Sequence, residues 1–64
     1  MDLTTGQNLL KQKKFLMALK HFKKLLELNP NNIDINFYLG RVYSEIQDSK
    51  NSIKYYLKYL DSNK

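Results

Sequence analysis

Slid along itself by 34 residues, the chain meets its own pattern. Gly6 lands on Gly40 (40 − 6 = 34), Leu9 on Tyr43, Ala18 on Ser52 and Leu19 on Ile53. Lys20 lands on Lys54, Phe22 on Tyr56, Lys24 on Lys58, Leu26 on Leu60 and Glu27 on Asp61. Small residues meet small, large apolar residues meet large apolar, and charge meets charge. Self-similarity at this period marks a stacked array, in which each unit buries its apolar face only against a neighbour.

The stretch Ala18–Pro30 shows what the unit is made of. Leu19, Phe22 and Leu26, with Ala18 and Leu25 beside them, recur at steps of three and four residues, the spacing that lines one face of a helix. Lys20, Lys23, Lys24 and Glu27 fall on the other side. Asn29-Pro30 then ends the helix, since proline lacks an N–H and forces the residue before it out of the helical region. The same reading predicts a first helix from Asp2 to about Lys13, with Asp2, Thr4 or Thr5 as its cap, and a second from about Phe15 to Leu28. A third is expected from Asn32, its cap, to about Ile46, burying Ile35, Leu39, Val42, Tyr43 and Ile46. A fourth, capped by Asp48 or Ser49, is expected from about Lys50 to Asp61, with Ile53, Tyr56, Leu57 and Leu60 as its stripe; Ser62 to Lys64 should fray. Between the first two helices, Lys11-Gln12-Lys13-Lys14 must turn without Gly, Pro, Asn or Asp, the usual turn residues.

These residues resemble the tetratricopeptide repeat, a helix-turn-helix unit of this length. Its first helix carries a large residue, a leucine-glycine pair and an aromatic, for which the second copy has Asn36, Leu39-Gly40 and Tyr43 and the first has Asp2, Thr5-Gly6 and Leu9. Its second helix wants a small residue, an aromatic, a second small residue and a closing proline. The first copy gives Ala18, Phe22, Leu25 and Pro30, the second Ser52, Tyr56, Tyr59 and Lys64. Leu25 and Tyr59 depart from the pattern and suggest loose or altered stacking. The resemblance implies an all-α fold of two tandem helix-turn-helix hairpins, four helices in all, forming a right-handed solenoid segment. One domain would span 1–64, with repeat one at about 1–32 and repeat two at about 33–64. It also explains Gly6, which costs a helix about 1 kcal/mol relative to alanine: a glycine there lets the two helices of a repeat approach closely.

In this family the first helices of successive repeats line a concave groove that takes a peptide or helix. By position that face would hold Leu3, Gln7, Leu10, Lys11, Asp34, Phe37, Tyr38, Arg41, Ser44 and Glu45. Phe37 and Tyr38, aromatics with an arginine nearby, are the expected anchors. Some members clamp the C-terminal carboxylate of heat-shock chaperones with Lys and Asn; Leu3 and Gln7 stand at the matching early positions, so no such clamp is expected. The function implied is a protein-interaction scaffold binding a protein or peptide partner.

Composition narrows the classes further. The chain has 64 residues, no cysteine and a formal charge of +5, from eleven Lys+Arg against six Asp+Glu. Nothing can be stapled by a disulfide or a thiolate metal site. No apolar run is long enough to span a membrane, and Met1-Asp2-Leu3-Thr4 lacks a secretory signal's basic start and apolar core, so a cytoplasmic protein is expected. His21 has no ligand or nucleophile at useful spacing and is placed on the solvent face; Met17 is an ordinary packing or surface residue. Asp34 and Glu45 lie about 16 Å apart along one helix, too far to share a proton. No enzyme activity, metal or cofactor is expected. Every cation but Arg41 is a lysine, which suits a solvated surface more than bidentate phosphate recognition. The rival class is nucleic-acid binding through Lys20, Lys23, Lys24, Lys54 and Lys58, with Tyr55 free to stack; a third reading makes the chain the repeat region of a larger protein.

Two repeats without a polar cap leave an open end. Such arrays usually need about three repeats for stability, so the fourth helix should expose part of Ile53, Tyr56, Leu57, Tyr59 and Leu60. The expectation is a homodimer through the second repeat. Domain exchange is the alternative geometry, because the Lys11–Lys14 turn is built of good helix formers and could straighten.

Overall fold

Both glycines sit inside helices, where glycine is costly, and both are buried. In the computed structural model, which describes residues 3–62, four helices follow one another: α1 (Leu3–Lys11), α2 (Phe15–Leu28), α3 (Ile33–Glu45) and α4 (Ser49–Ser62). Gly6 of α1 lies against the tip of the Phe22 ring of α2; a methyl group there would overlap Cζ. Gly40 of α3 lies against Tyr56 of α4, whose Cδ1 would stand 2.8 Å from an added Cβ. The second contact is the first moved on by the repeat. Ser52, in the small-residue slot, adds a bond of its own: its buried hydroxyl donates to the Gly40 carbonyl at 2.8 Å.

One core runs through both hairpins, made of Ala18, Phe22, Leu25, Ile35, Leu39, Val42 and Tyr43. Leu3, Leu9, Leu10, Leu19, Leu26, Tyr38, Ile46 and Tyr55 pack around it. Leu25 is almost fully buried, so the larger residue in that slot fills the core and does not loosen it. The arrangement, two consecutive helical hairpins with α2 against α3, is compatible with a segment of right-handed solenoid.

The turn lacking turn residues is closed by backbone geometry. Lys14 N–H donates to Leu9 O at 2.9 Å and Lys13 N–H to Leu10 O at 3.0 Å. This is the six-to-one, five-to-two pattern that ends a helix with a left-handed residue. Lys13 takes that conformation, with φ 60°. The second hairpin repeats it one period later: Asp48 N–H donates to Tyr43 O, Gln47 N–H to Ser44 O, and Gln47 has φ 63°. Asp48, not Ser49, caps α4. Its carboxylate accepts from the Asn51 N–H and from Asn51 Nδ2, and these bonds hold its pKa below the ordinary carboxylate value. Asn32 caps α3 by accepting from the Asp34 N–H at 3.1 Å.

Four expectations need correction. The helix α1 ends at Lys11, about two residues early, because the left-handed residue falls at Lys13. The packed face of α2 is Ala18, Phe22 and Leu25, with Leu19 and Leu26 at its margin. His21 is half-buried with its ring edge-on to Phe22 at 5.9 Å, not on the solvent face. The stripe of α4, expected to be exposed in part as a whole, divides: Ser52, Tyr55, Tyr56 and Tyr59 face inward, while Ile53, Leu57 and Leu60 are 58%, 56% and 59% exposed. The reason is the glycine contact. Seating Tyr56 on Gly40 and Ser52 on its carbonyl rotates α4 so that rings with a hydroxyl tip reach the edge of the core and the aliphatics turn away. Asp2, an expected cap and family slot, and Asn63 and Lys64, expected to fray, lie outside the described residues.

The two glycines should respond differently to a methyl group. Phe22 is completely buried and has nowhere to move, so in Gly6→Ala the overpacking, about 1–3 kcal/mol, should outweigh the helix gain of about 1 kcal/mol. Tyr56 is only half-buried and can yield, so Gly40→Ala should be closer to neutral. Urea unfolding followed by circular dichroism checks this; a Gly6→Ala chain as stable as the wild type would contradict the close approach.

Candidate partner-binding groove

The groove face is built where α1 and α3 run beside each other. Gln7 Nε2 of α1 donates to the Tyr38 hydroxyl of α3 at 2.5 Å, tying the first helix of one hairpin to that of the next. The Tyr38 ring lies parallel to Phe22, centroids 5.3 Å apart and planes 5° off parallel. Below this pair, Gln7, Leu10, Lys11, Tyr38 and Arg41 line a depression of about 250 Å³. A second, of about 180 Å³, continues along Leu10, Lys11, Lys13, Phe15, Arg41 and Glu45. Lys11, Lys13 and Arg41 make this end of the face basic, with Glu45 as the acid among them.

Six of the ten expected groove residues are therefore brought together: Gln7, Leu10, Lys11, Tyr38, Arg41 and Glu45. The others go elsewhere. Leu3 packs on the core. Asp34 sits in the exposed first turn of α3, and its N–H is spent on the Asn32 cap. Ser44 is exposed, and its carbonyl accepts from Gln47 in the turn. Phe37 leans towards α4, within 5.3 Å of the Tyr59 ring and 5.9 Å of Tyr56, and meets Tyr38 edge-on at 5.4 Å. Tyr38 is a wall of the groove more than a free anchor. Lys13 and Phe15 were missed; assigning the groove to the first helices alone leaves out the turn, which the left-handed Lys13 folds onto this face.

The outer face carries a larger, open depression of about 660 Å³, lined by Leu9, Met17, Lys20, His21, Lys23, Lys24 and Glu27. Beside it three of the five lysines of the rival reading, Lys23, Lys54 and Lys58, are already engaged with rings. Tyr55 is stacked on Tyr43 at 5.5 Å, 9° from parallel, so it is not free to stack on a base. Lys54 and Lys58 lie over Tyr55 at 5.6 and 5.2 Å, and Lys23 lies 5.9 Å from the Tyr43 centroid. The neighbouring Tyr43 hydroxyl raises the Lys23 pKa. Among the described residues no three His, Asp or Glu side chains gather as metal ligands, and no helix is long and apolar enough to cross a membrane.

Models of the tetratricopeptide repeat match residues 3–32 and residues 21–54, the second being more than half of the chain. The chain belongs to the tetratricopeptide-repeat family. No curated protein and no solved structure matches it significantly. The two matches differ in phase: 3–32 takes in α1 and α2, whereas 21–54 takes in the end of α2, all of α3 and the start of α4. Tetratricopeptide repeats generally mediate protein–protein interactions and are generally non-catalytic scaffolds.

The wall role of Tyr38 can be tested on stability. Tyr38→Phe keeps the ring on Phe22 and loses only the Gln7 bond, which should cost about 1 kcal/mol. Tyr38→Ala also removes the stacked ring and should cost about 2–4 kcal/mol. Thermal unfolding of both variants reads the difference; a Tyr38→Ala chain of wild-type stability would show that the ring is a free anchor after all.

Proposed function

We propose that this chain is a protein-interaction module that works as one domain over residues 1–64, with repeat one at about 1–32 and repeat two at about 33–64. It uses two surfaces. The concave face between α1 and α3 takes a peptide or a helix, and the outer face of α4 joins two copies into a homodimer. The observation that carries the first is the continuous row of Gln7, Leu10, Lys11, Tyr38, Arg41 and Glu45 along two depressions. The observation that carries the second is the exposure of Ile53, Leu57 and Leu60 on one face of α4. Tyr56 and Tyr59 contribute only their outer edges, since both rings are held against Phe37. Plain stacking is favoured over exchange of the first two helices, because the Lys13 turn is closed by two backbone hydrogen bonds.

Peptides selected from a random library on the immobilised chain test the groove. Arg41→Glu should weaken them at least about tenfold, a loss of about 1.4 kcal/mol. Lys24→Glu, on the outer helix, should leave them unchanged. Ligands indifferent to Arg41→Glu would move the binding surface elsewhere.

Light scattering across a concentration series tests self-association. The mass should approach twice the 7.6 kDa of one chain, and Leu57→Glu with Leu60→Glu should return it to a monomer. A wild type that stays monomeric and helical at high concentration would contradict the dimer.

A further inference from the structure

The first hairpin shows what a covered outer face looks like in this fold. Ile53, Leu57 and Leu60 stand one period after Leu19, Lys23 and Leu26. Leu19 and Leu26 are half-buried against the core that α3 completes. The middle position is Lys23, an exposed residue whose ammonium reaches across to the Tyr43 ring. Stacking of the next hairpin therefore uses two apolar positions and leaves the third to a cation. Helix α4 keeps both and puts Leu57 in place of the lysine. Ile53, Leu57 and Leu60 then run in steps of four and three, the seam by which two helices pack side by side.

The opposite end of the array offers that seam nothing. Leu39 and Val42, fully buried where α3 meets the first hairpin, correspond to Thr5 and Asn8 in α1, both exposed. Head-to-tail stacking would lay the leucines on a polar surface, and a heterologous contact of that kind would grow into a filament. A self-complementary contact closes at two.

Charge fixes the direction of the pairing. Lys54 and Asp61 flank the seam on the Leu57 side, seven residues apart, and Lys50 continues the seam one heptad before Leu57. A parallel pair would set Lys50 beside its own copy in the seam and hold Lys54 and Asp61 of one copy on the opposite side of it from those of the other, out of reach of their counterparts. An antiparallel pair centred near Leu57 brings Lys54 of each copy opposite Asp61 of the other, twice across the axis. Like charges in register oppose association and opposite charges favour it. The helix has 14 residues, about 21 Å, and one face of a single helix of that length buries less than the roughly 800 Å² per partner of a standard interface, so the contact belongs to the weak class.

We propose that α4 pairs antiparallel with α4 of a second copy across a two-fold axis near Leu57. This rests on the self-association reading above and adds the face, direction and register. The chain has no cysteine, so single cysteines report the register. With Leu57→Cys, the two thiols should meet at the axis, and mild oxidation should give a disulfide-linked dimer. With Ile53→Cys, the two positions would stand about 12 Å apart along the axis, beyond the roughly 7 Å between Cα atoms that a disulfide spans, and no linked dimer should form. Linking by both variants alike would mean a parallel pair and overturn the proposal. If neither links while the wild type scatters as a dimer, another surface makes the contact: the register falls and self-association stands. A monomeric wild type with no linking removes both.

Discussion

An aromatic ring seated on a glycine sets the helix spacing in both hairpins. Phe22 on Gly6 and Tyr56 on Gly40 bring each pair of helices closer than a Cβ would allow, and much of the remaining packing is arranged around that approach. Phe22 turned onto Gly6 also presents a flat surface to Tyr38, whose hydroxyl then reaches Gln7. The ring that closes the first hairpin thus forms the floor under the groove wall. Tyr56 on Gly40 fixes the rotation of α4, which determines that Ser52 goes in and Ile53, Leu57 and Leu60 go out. A glycine inside a helix costs about 1 kcal/mol, an expense that makes sense only where another group occupies the vacated space.

The two hairpins share a plan and differ at their ends, and the differences bear on function. Where α3 presents Leu39 and Val42 to the core, α1 presents Thr5 and Asn8 to solvent; where α2 carries Lys23, α4 carries Leu57. The exposed face of α1 carries polar groups at these positions, and that of α4 carries aliphatic ones. The groove has a basic end around Lys11, Lys13 and Arg41.

Much of this was legible in the sequence because the repeat supplies phase as well as periodicity. The offset of Gly6 and Gly40 located the close approach, and Asn32 and Pro30 located the break between hairpins. What escaped was rotation and turn geometry. Hydrophobicity grouped Tyr56 with Ile53, Leu57 and Leu60 as one partly exposed stripe of α4, because it does not register that a tyrosine ring seated on a glycine turns inward while the aliphatics turn out. The turn at Lys13 carried no residue-type signal, since a left-handed lysine is held by the backbone bonds of Leu9 and Leu10 and not by its own preference. In the groove, spacing identified the face, but not that Phe37 would be drawn to Tyr59 and Tyr56 and away from a ligand.

The seating of both rings can be read directly by nuclear magnetic resonance, because a proton held against an aromatic face is shifted by the ring current. The Cα protons of Gly6 and Gly40 should both resonate well away from their unfolded positions in the folded chain. Replacing Phe22 with leucine should abolish the Gly6 displacement, and replacing Tyr56 with leucine should abolish that of Gly40. Glycine resonances near their unfolded values in a chain that is otherwise helical would contradict the account at its base.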